Sequence, residues 1–265
     1  MVVKIPYYII VLGTAGSGKT TLTSMLMNYL DSHQMDVAAV NLDPAVEELP
    51  YNPDVDIREW VDAREVMVKR GLGPNGALIA SVDMLALNIG ELKDEVDSLK
   101  SNYIIIDTPG QLEIFAFRDS GPVVLRTIIG DSKAVSLFLI DGLYALKPSN
   151  LFSAMLLSAS TLFRIKYPQI NVFTKIDLLS EAEYSGLLSM IENPEELASR
   201  VVEDADINLM WSSEEVYGLA EKLYSFESVP VSNNSGQGFD DLYALIQRVL
   251  AGGEDYFTEE PNPVL

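Results

Sequence analysis

The chain has no cysteine and a single histidine, His33, and these two shortages remove several chemistries at once. Without thiols there is no disulfide framework and no thiolate metal site, a composition that suits a reducing cytoplasm, the expected location. One imidazole makes no histidine cluster, and His33 falls among polar neighbours at the end of a predicted helix, where a surface position fits it. Basic residues are scarce: 18 Lys and Arg face 39 Asp and Glu, for a formal net charge of −21. Phosphate backbones are gripped mainly by cations, so no nucleic-acid partner is expected. Long apolar runs are missing too. The longest uncharged apolar stretch, residues 151–163, falls short of the ~20 residues that span a bilayer, and no membrane segment is expected. The opening MVVKIPYYIIVLG leads into a glycine loop and not into a small-residue cleavage site, so it reads as a core strand and not as a signal peptide.

Apolar sequence in short blocks is abundant. With 265 residues, 48% of them hydrophobic, the chain can bury one large core, and a single domain over residues 1–251 is the expectation. Runs at 7–12, 37–42, 103–106, 134–140 and 170–173, with a weaker one at 229–231, are mostly continuous and not alternating. That marks strands covered on both faces in a mostly parallel sheet. Helical periods lie between them: Leu22, Met25, Leu26 and Leu30 within 20–32, and Leu242, Leu245, Ile246 and Val249 within 239–250, the latter halted by Gly252 and Gly253. Strand and helix alternation implies right-handed crossovers and a doubly wound α/β fold. Residues 149–166 are apolar nearly all round, which implies burial in the core or in a subunit interface.

From about 180 to 228 the strand signal stops, and three helix starts appear: Ser180 with Glu183, Asn193-Pro194 with Glu196, and Ser212 with Glu215. This acidic stretch reads as a helical insertion covering one end of the sheet, with Met210 and Trp211 as packing residues. The tail, 252–265, is expected to be flexible.

Gly13-Thr-Ala-Gly-Ser-Gly-Lys19-Thr20 fits G-x-x-x-x-G-K-[ST] and sits between a predicted strand and a predicted helix, the context that motif requires. Gly13, Gly16 and Gly18 let the backbone curl, so that successive N–H groups, those of Ala15 and Ser17 among them, form an anion nest at a helix N-terminus. Lys19 then neutralises β- and γ-phosphate oxygens. Thr20 offers its hydroxyl to Mg²⁺, and Thr21 is placed for the α-phosphate. Position 14 is Thr, which departs from the partitioning-type ATPases and their second lysine.

Tyr103-Ile-Ile-Ile-Asp107-Thr-Pro-Gly110-Gln111 is an apolar strand ending in an acid and a glycine turn. It resembles the D-x-x-G motif of GTPases, in which Asp107 would hold the Mg²⁺ shell through water and the Gly110 amide would sense the γ-phosphate. Thr174-Lys175-Ile176-Asp177 resembles the guanine-reading N-K-x-D motif, with Thr in place of Asn. Asp177 would accept the guanine N1–H and exocyclic amine, whereas adenine would face it with an acceptor. Lys175 would lay its stem over the base. A hydroxyl makes only part of an amide's bonds, so the role of Thr174 is open at this point. Ser232-Asn233-Asn-Ser-Gly-Gln-Gly, after the final strand, is expected to touch the base, although it does not match the usual Ser-Ala-Lys.

By itself Gly71-Leu-Gly-Pro74-Asn75-Gly76-Ala reads as a turn. Together with GTAGSGKTT, VNLDPA and DTPGQLE it resembles the GPN-loop GTPases, in order from Val11 to about Asp177 and weakly on to Leu250. The resemblance implies a P-loop NTPase fold and Mg²⁺-dependent GTP hydrolysis. It also implies a homodimer or paralogue pair, with nucleotide sites near the subunit interface. Gly73, Pro74 and Asn75 would reach the partner's site, where donors aimed at the γ-phosphate stabilise a loose transition state. Asp43, in Asn41-Leu-Asp-Pro, matches the family's switch acid, and Gln111 and Glu113 match its second switch, all three as residues that position the attacking water. The implied role is that of a timer in assembling a macromolecular complex around a protein client, RNA polymerase in the eukaryotic relatives.

Three alternatives compete. A small-molecule kinase needs an Arg-rich lid, and the insertion here is acidic. A metal-insertion chaperone of the same branch usually carries Cys or His near its switches. A nucleotide-dependent adaptor with negligible turnover shares every motif.

Overall fold

The computed structural model of the protein describes residues 5–203 and 211–251. Its frame is a seven-stranded sheet: β1 Tyr7–Gly13, β2 Val37–Asn41, β3 Val55–Asp56, β4 Tyr103–Asp107, β5 Ala134–Asp141, β6 Gln169–Thr174 and β7 Glu227–Pro230. The spatial order is β3-β2-β4-β1-β5-β6-β7, and every neighbouring pair is parallel. The mostly parallel expectation is thus met in full. The continuous apolar runs have the expected cause, burial on both faces. Ile9, Val11, Ile105 and Leu137 face helices α1 (Lys19–Ser32) and α11 (Phe239–Ala251). Alternate residues Ile10, Leu12, Ile106 and Phe138 join the core on the opposite face.

That second core is covered by α3 (Pro74–Leu87), α4 (Ile89–Ser98), α6 (Ser120–Ile129) and α7 (Pro148–Ile165). Helix α7 buries Leu151, Phe152, Met155 and Ile165 in the core yet leaves Phe163 77% exposed. The three expected helices of the acidic stretch are present as α8 (Glu181–Glu192), α9 (Pro194–Glu203) and α10 (Ser213–Leu223). Ser180 with Glu183 and Ser212 with Glu215 form reciprocal capping boxes. At the third start Asn193 Oδ1 accepts from the Glu195 and Glu196 amides, while the Glu196 carboxylate turns to Arg200. Leu187, Leu197, Val201 and Val216 of this stretch belong to the same apolar cluster as the sheet.

Three expectations shift. Strand β3 has two residues, too few to make an apolar run, and β7 begins ahead of the 229–231 block. Residues 71–77 are only partly a turn: Gly71 closes helix α2 (Ala63–Arg70) at φ +62°, while Gly73 is the N-cap of α3 with Pro74 in its first turn. Proline's fixed φ and missing N–H favour that position. Trp211 is about half exposed at 48%, so packing uses part of its surface. Met210, Gly252, Gly253 and the 252–265 tail lie outside the described residues. His33 caps the C-terminus of α1 as an exposed residue, its ring 4.3 Å from that of Tyr29. Among the described residues no helix is long and apolar enough to cross a membrane.

Candidate nucleotide site

The C-terminal ends of β1, β2, β4, β5 and β6 share one edge of the sheet, where open α/β folds bind ligands. Strand β1 runs directly into the glycine loop. A Cβ on Gly13 would stand 2.7 Å from Ser17 Oγ and 2.8 Å from the Leu139 carbonyl, so only glycine lets the loop turn there. Gly16 differs from it: exposed at the bend of the loop, it has open space where a Cβ would stand, and its left-handed φ of +77° rather than crowding is what suits glycine. Gly18, left-handed at φ +92°, is the N-cap of α1 and supplies no capping side chain. The first-turn amides of Lys19, Thr20 and Thr21 therefore face an open anion position. Lys19, only 6% exposed, donates from Nζ to the Gly13 and Thr14 carbonyls at 3.0 Å each. Burial pulls its pKa down, and Asp107 and Asp43 oppose that shift.

The two acids that act on Lys19 come from neighbouring strands. Asp107 ends β4 and is 1% exposed, and burial lifts its carboxyl from 3.8 to about 6 against hydrogen bonds from Tyr51 and Thr20. Tyr51 donates to its Oδ2 at 3.0 Å, and burial beside this carboxylate raises the phenol's own pKa, so the phenol remains a donor. Asp107 Oδ1 is buried with no hydrogen-bond partner. Asp43 follows β2. Its Oδ1 closes an Asx turn on the Ala45 amide at 2.9 Å, and its Oδ2 accepts from the Gly110 amide at 3.4 Å. A methyl on Gly110 would lie 3.9 Å from Lys19 Nζ. Lys19, Thr20, Asp43, Asp107 and Gly110 are thereby brought together.

Gln111 is the N-cap of the short helix α5 (Leu112–Phe115), and its Nε2 donates to Asn75 Oδ1 at 3.2 Å. The exposed Gly73-Pro74-Asn75 thus borders Gln111 and the start of α5 in its own chain. Gln111 Oε1 is buried and has no partner. Glu113 stands exposed on the first turn of α5.

At the other end of the site, Thr174 Oγ1 donates to the Ser17 carbonyl at 2.8 Å. This answers the question left by the missing Asn: the hydroxyl ties β6 to the phosphate loop. Asp177, in a 3₁₀ turn over Ile176–Leu178, accepts from Ser232 Oγ at 3.0 Å and from Asn234 Nδ2 at 2.6 Å. Lys175 is left-handed at φ +61°, and its ammonium pairs with Asp141 Oδ2 at 2.6 Å, which stretches the stem across the site's edge. Asn233 Nδ2 comes within 3.5 Å of the position a Gly18 Cβ would take, and its Oδ1 is buried without a partner.

Tyr51 and Asp141 were not predicted from the sequence, and Asn234 only as an unmarked member of the 232–238 segment. Asp141 carried a legible signal, an apolar strand ending in an acid like β4; Tyr51 sits in Pro50-Tyr-Asn-Pro53, where no motif marks it.

A family model described as a conserved hypothetical ATP binding protein matches residues 11–252. GPN-loop GTPase 1 of Saccharomyces cerevisiae is 30% identical over 97% of this chain and 69% of its own length. GPN-loop GTPase PAB0955 of Pyrococcus abyssi is 32% identical over 89% of this chain and 94% of its own length. The chain belongs to the GPN-loop GTPase family. The crystal structure of the apo Pyrococcus GTPase covers 92% of the chain and superposes with a TM-score of 0.81 at 31% identity, which fixes the P-loop NTPase fold. GPN-loop GTPase 1 of Dictyostelium discoideum is 32% identical over 96% of this chain, and the chain spans 63% of its length. Enzymes of this family are GTPases.

Proposed function

We propose that this chain binds GTP with Mg²⁺ and hydrolyses it to GDP and phosphate, as a cytoplasmic homodimer. The observation that carries the reading is the spacing of two ends of one site. Lys19 lies in the field of Asp107 and Asp43, and Thr174 ties the base-reading strand to the same loop. The Asp177 carboxylate, held by Ser232 and Asn234, supports guanine, whose N1–H and amine would replace the Asn234 contact. Adenine would set an acceptor against it. With the Thr174 hydroxyl already committed, the Asn233 carboxamide beside Gly18 is the donor free for the purine's acceptor edge.

The donors fit magnesium: Asp107 offers a buried, unpartnered carboxylate oxygen, and the Thr20 hydroxyl lies close enough to act on the same group's pKa. A hard, well-hydrated cation takes one or two such protein oxygens and fills its shell with phosphate and water. When bound, Mg²⁺ would neutralise charge developing on the phosphates. The chain's own residues do the rest. The loop amides and Lys19 bind the triphosphate, and the Gly110 amide leaves Asp43 for the γ-phosphate. Asp43 and the open Gln111 Oε1 then accept from the attacking water. Glu113 serves as an outer partner in that network.

The exposed Gly73-Pro74-Asn75 supports donation into a second subunit's site, and exposed Val68, Leu87 and Phe163 supply apolar surface for association. In this reading residues 1–251 act as one domain, with 180–228 as its helical insertion, and hydrolysis times the assembly of a complex around a protein client. Nucleotide competition tests the base assignment. The parent is expected to prefer GTP over ATP by ~100-fold or more, and Asp177→Asn to lose most of that preference; equal affinities in the parent refute it.

A further inference from the structure

Between β2 and β3 the chain forms a strap, residues 42–54, across the phosphate end of the site. Hydrogen bonds along its length pin it to the site and to β2. Asp43 holds the Gly110 amide at 3.4 Å. The Pro50 carbonyl accepts from Ser24 Oγ on α1 at 3.3 Å. Tyr51 donates to Asp107 Oδ2 at 3.0 Å. Asp54 closes the far end on β2, with Asp54 N to Ala39 O and Ala39 N to Asp54 Oδ2 both at 2.8 Å. One strap therefore touches the second switch, the phosphate-loop helix and the buried acid of β4.

A carboxylate at a strand end can turn about its side-chain torsions, and its terminal torsion has a broad, two-fold profile. A donor on one oxygen removes that freedom. Here the phenol engages Oδ2 and leaves Oδ1 buried and unpartnered. Burial alone would not demand this arrangement, since a phenylalanine would fill the same space. We propose that Tyr51 is a positioning residue for Asp107, its hydroxyl holding the carboxylate so that Oδ1 is presented to the hydrated magnesium beside Thr20. The inference rests on the assignment of Asp107 as the magnesium-shell acid. The strap then links the metal end of the site to Asp43, so the order of the Asp43 turn and the order of the metal shell are coupled through one segment.

Tyr51→Phe removes the hydroxyl and keeps the ring. The full-length parent and variant are titrated with a fluorescent, non-hydrolysable GTP analogue, first in chelator and then across a Mg²⁺ series. Chelator affinity is expected to stay within about twofold, while the Mg²⁺ concentration for half-maximal enhancement rises about tenfold, as befits a lost hydrogen bond to a charged group. In an Asp107→Asn background the same change is expected to have no further effect on the Mg²⁺ dependence. An unchanged Mg²⁺ midpoint would mean that the hydroxyl only satisfies itself, and a lowered one would mean that Tyr51 obstructs the site; either overturns the proposal. A parent that binds no nucleotide in either condition overturns the underlying GTPase assignment and the inference together.

Discussion

Replacing Asp107 by Asn should make the nucleotide-free protein more stable at neutral pH. The side chain is 1% exposed, and burial raises its carboxyl from 3.8 to about 6. A folded-state pKa above the unfolded value means that the folded chain holds this proton more tightly. The resulting stability is complete below about pH 4 and is lost as pH rises through about 6. At pH 7.5 the folded protein therefore carries a charge that the unfolded chain would solvate better. A rise of that size corresponds to at most on the order of 3 kcal/mol. The new amide hydrogens of Asn need acceptors of their own, which offsets part of this, and a net gain of about 1–2 kcal/mol is expected. For a chain of this size that is a rise of roughly 2–8 °C in Tm. Thermal and urea unfolding in chelator, at pH 5 and 7.5, would measure it. The gain is expected at pH 7.5 and should shrink at pH 5, while Mg²⁺-dependent turnover is lost. A variant no more stable than the parent at pH 7.5 would refute the argument that this acid is held at a cost for its function.

Thr174→Val keeps the shape of the side chain but leaves the Ser17 carbonyl without its 2.8 Å donor. A loss of about 1–3 kcal/mol in urea unfolding is expected, together with weaker GTP binding, and unchanged values for both would show that the tie is dispensable. Co-expressed Asn75→Ala and Lys19→Ala chains should form mixed dimers with one intact site, restoring about a quarter of parental turnover where each variant alone is nearly inactive. No recovery in such mixtures would remove the Gly-Pro-Asn segment from catalysis across subunits.

The core strands and the phosphate loop were legible because their causes are local. A strand buried on both faces must be apolar at every position, as in Tyr103–Asp107, and a loop that cups an anion needs glycine where the backbone turns left-handed, as at Gly16 and Gly18. The capping of Ser180 by Glu183 is equally local, a contact across three residues. Strand β3 escaped for the converse reason: two residues carry no period, and Val55 pairs only because Val40 of β2 lies beside it.

The candidate site divides along the same line. Lys19, Asp107, Gly110 and Asp177 are marked by their neighbours in sequence. The partners that set the behaviour of the site's side chains come from far along the chain: Tyr51 on Asp107, Ser17 under Thr174, Asp141 on Lys175, Asn234 on Asp177. Sequence by itself determined the class of fold and the glycine loop between β1 and α1, since both follow from patterns a few residues long. The tertiary structure alone decided what Thr174 does in place of Asn, which oxygen of Asp107 stays open, and that Asn75 meets Gln111. Each of these depends on where separate strand ends and loops converge once the sheet has closed.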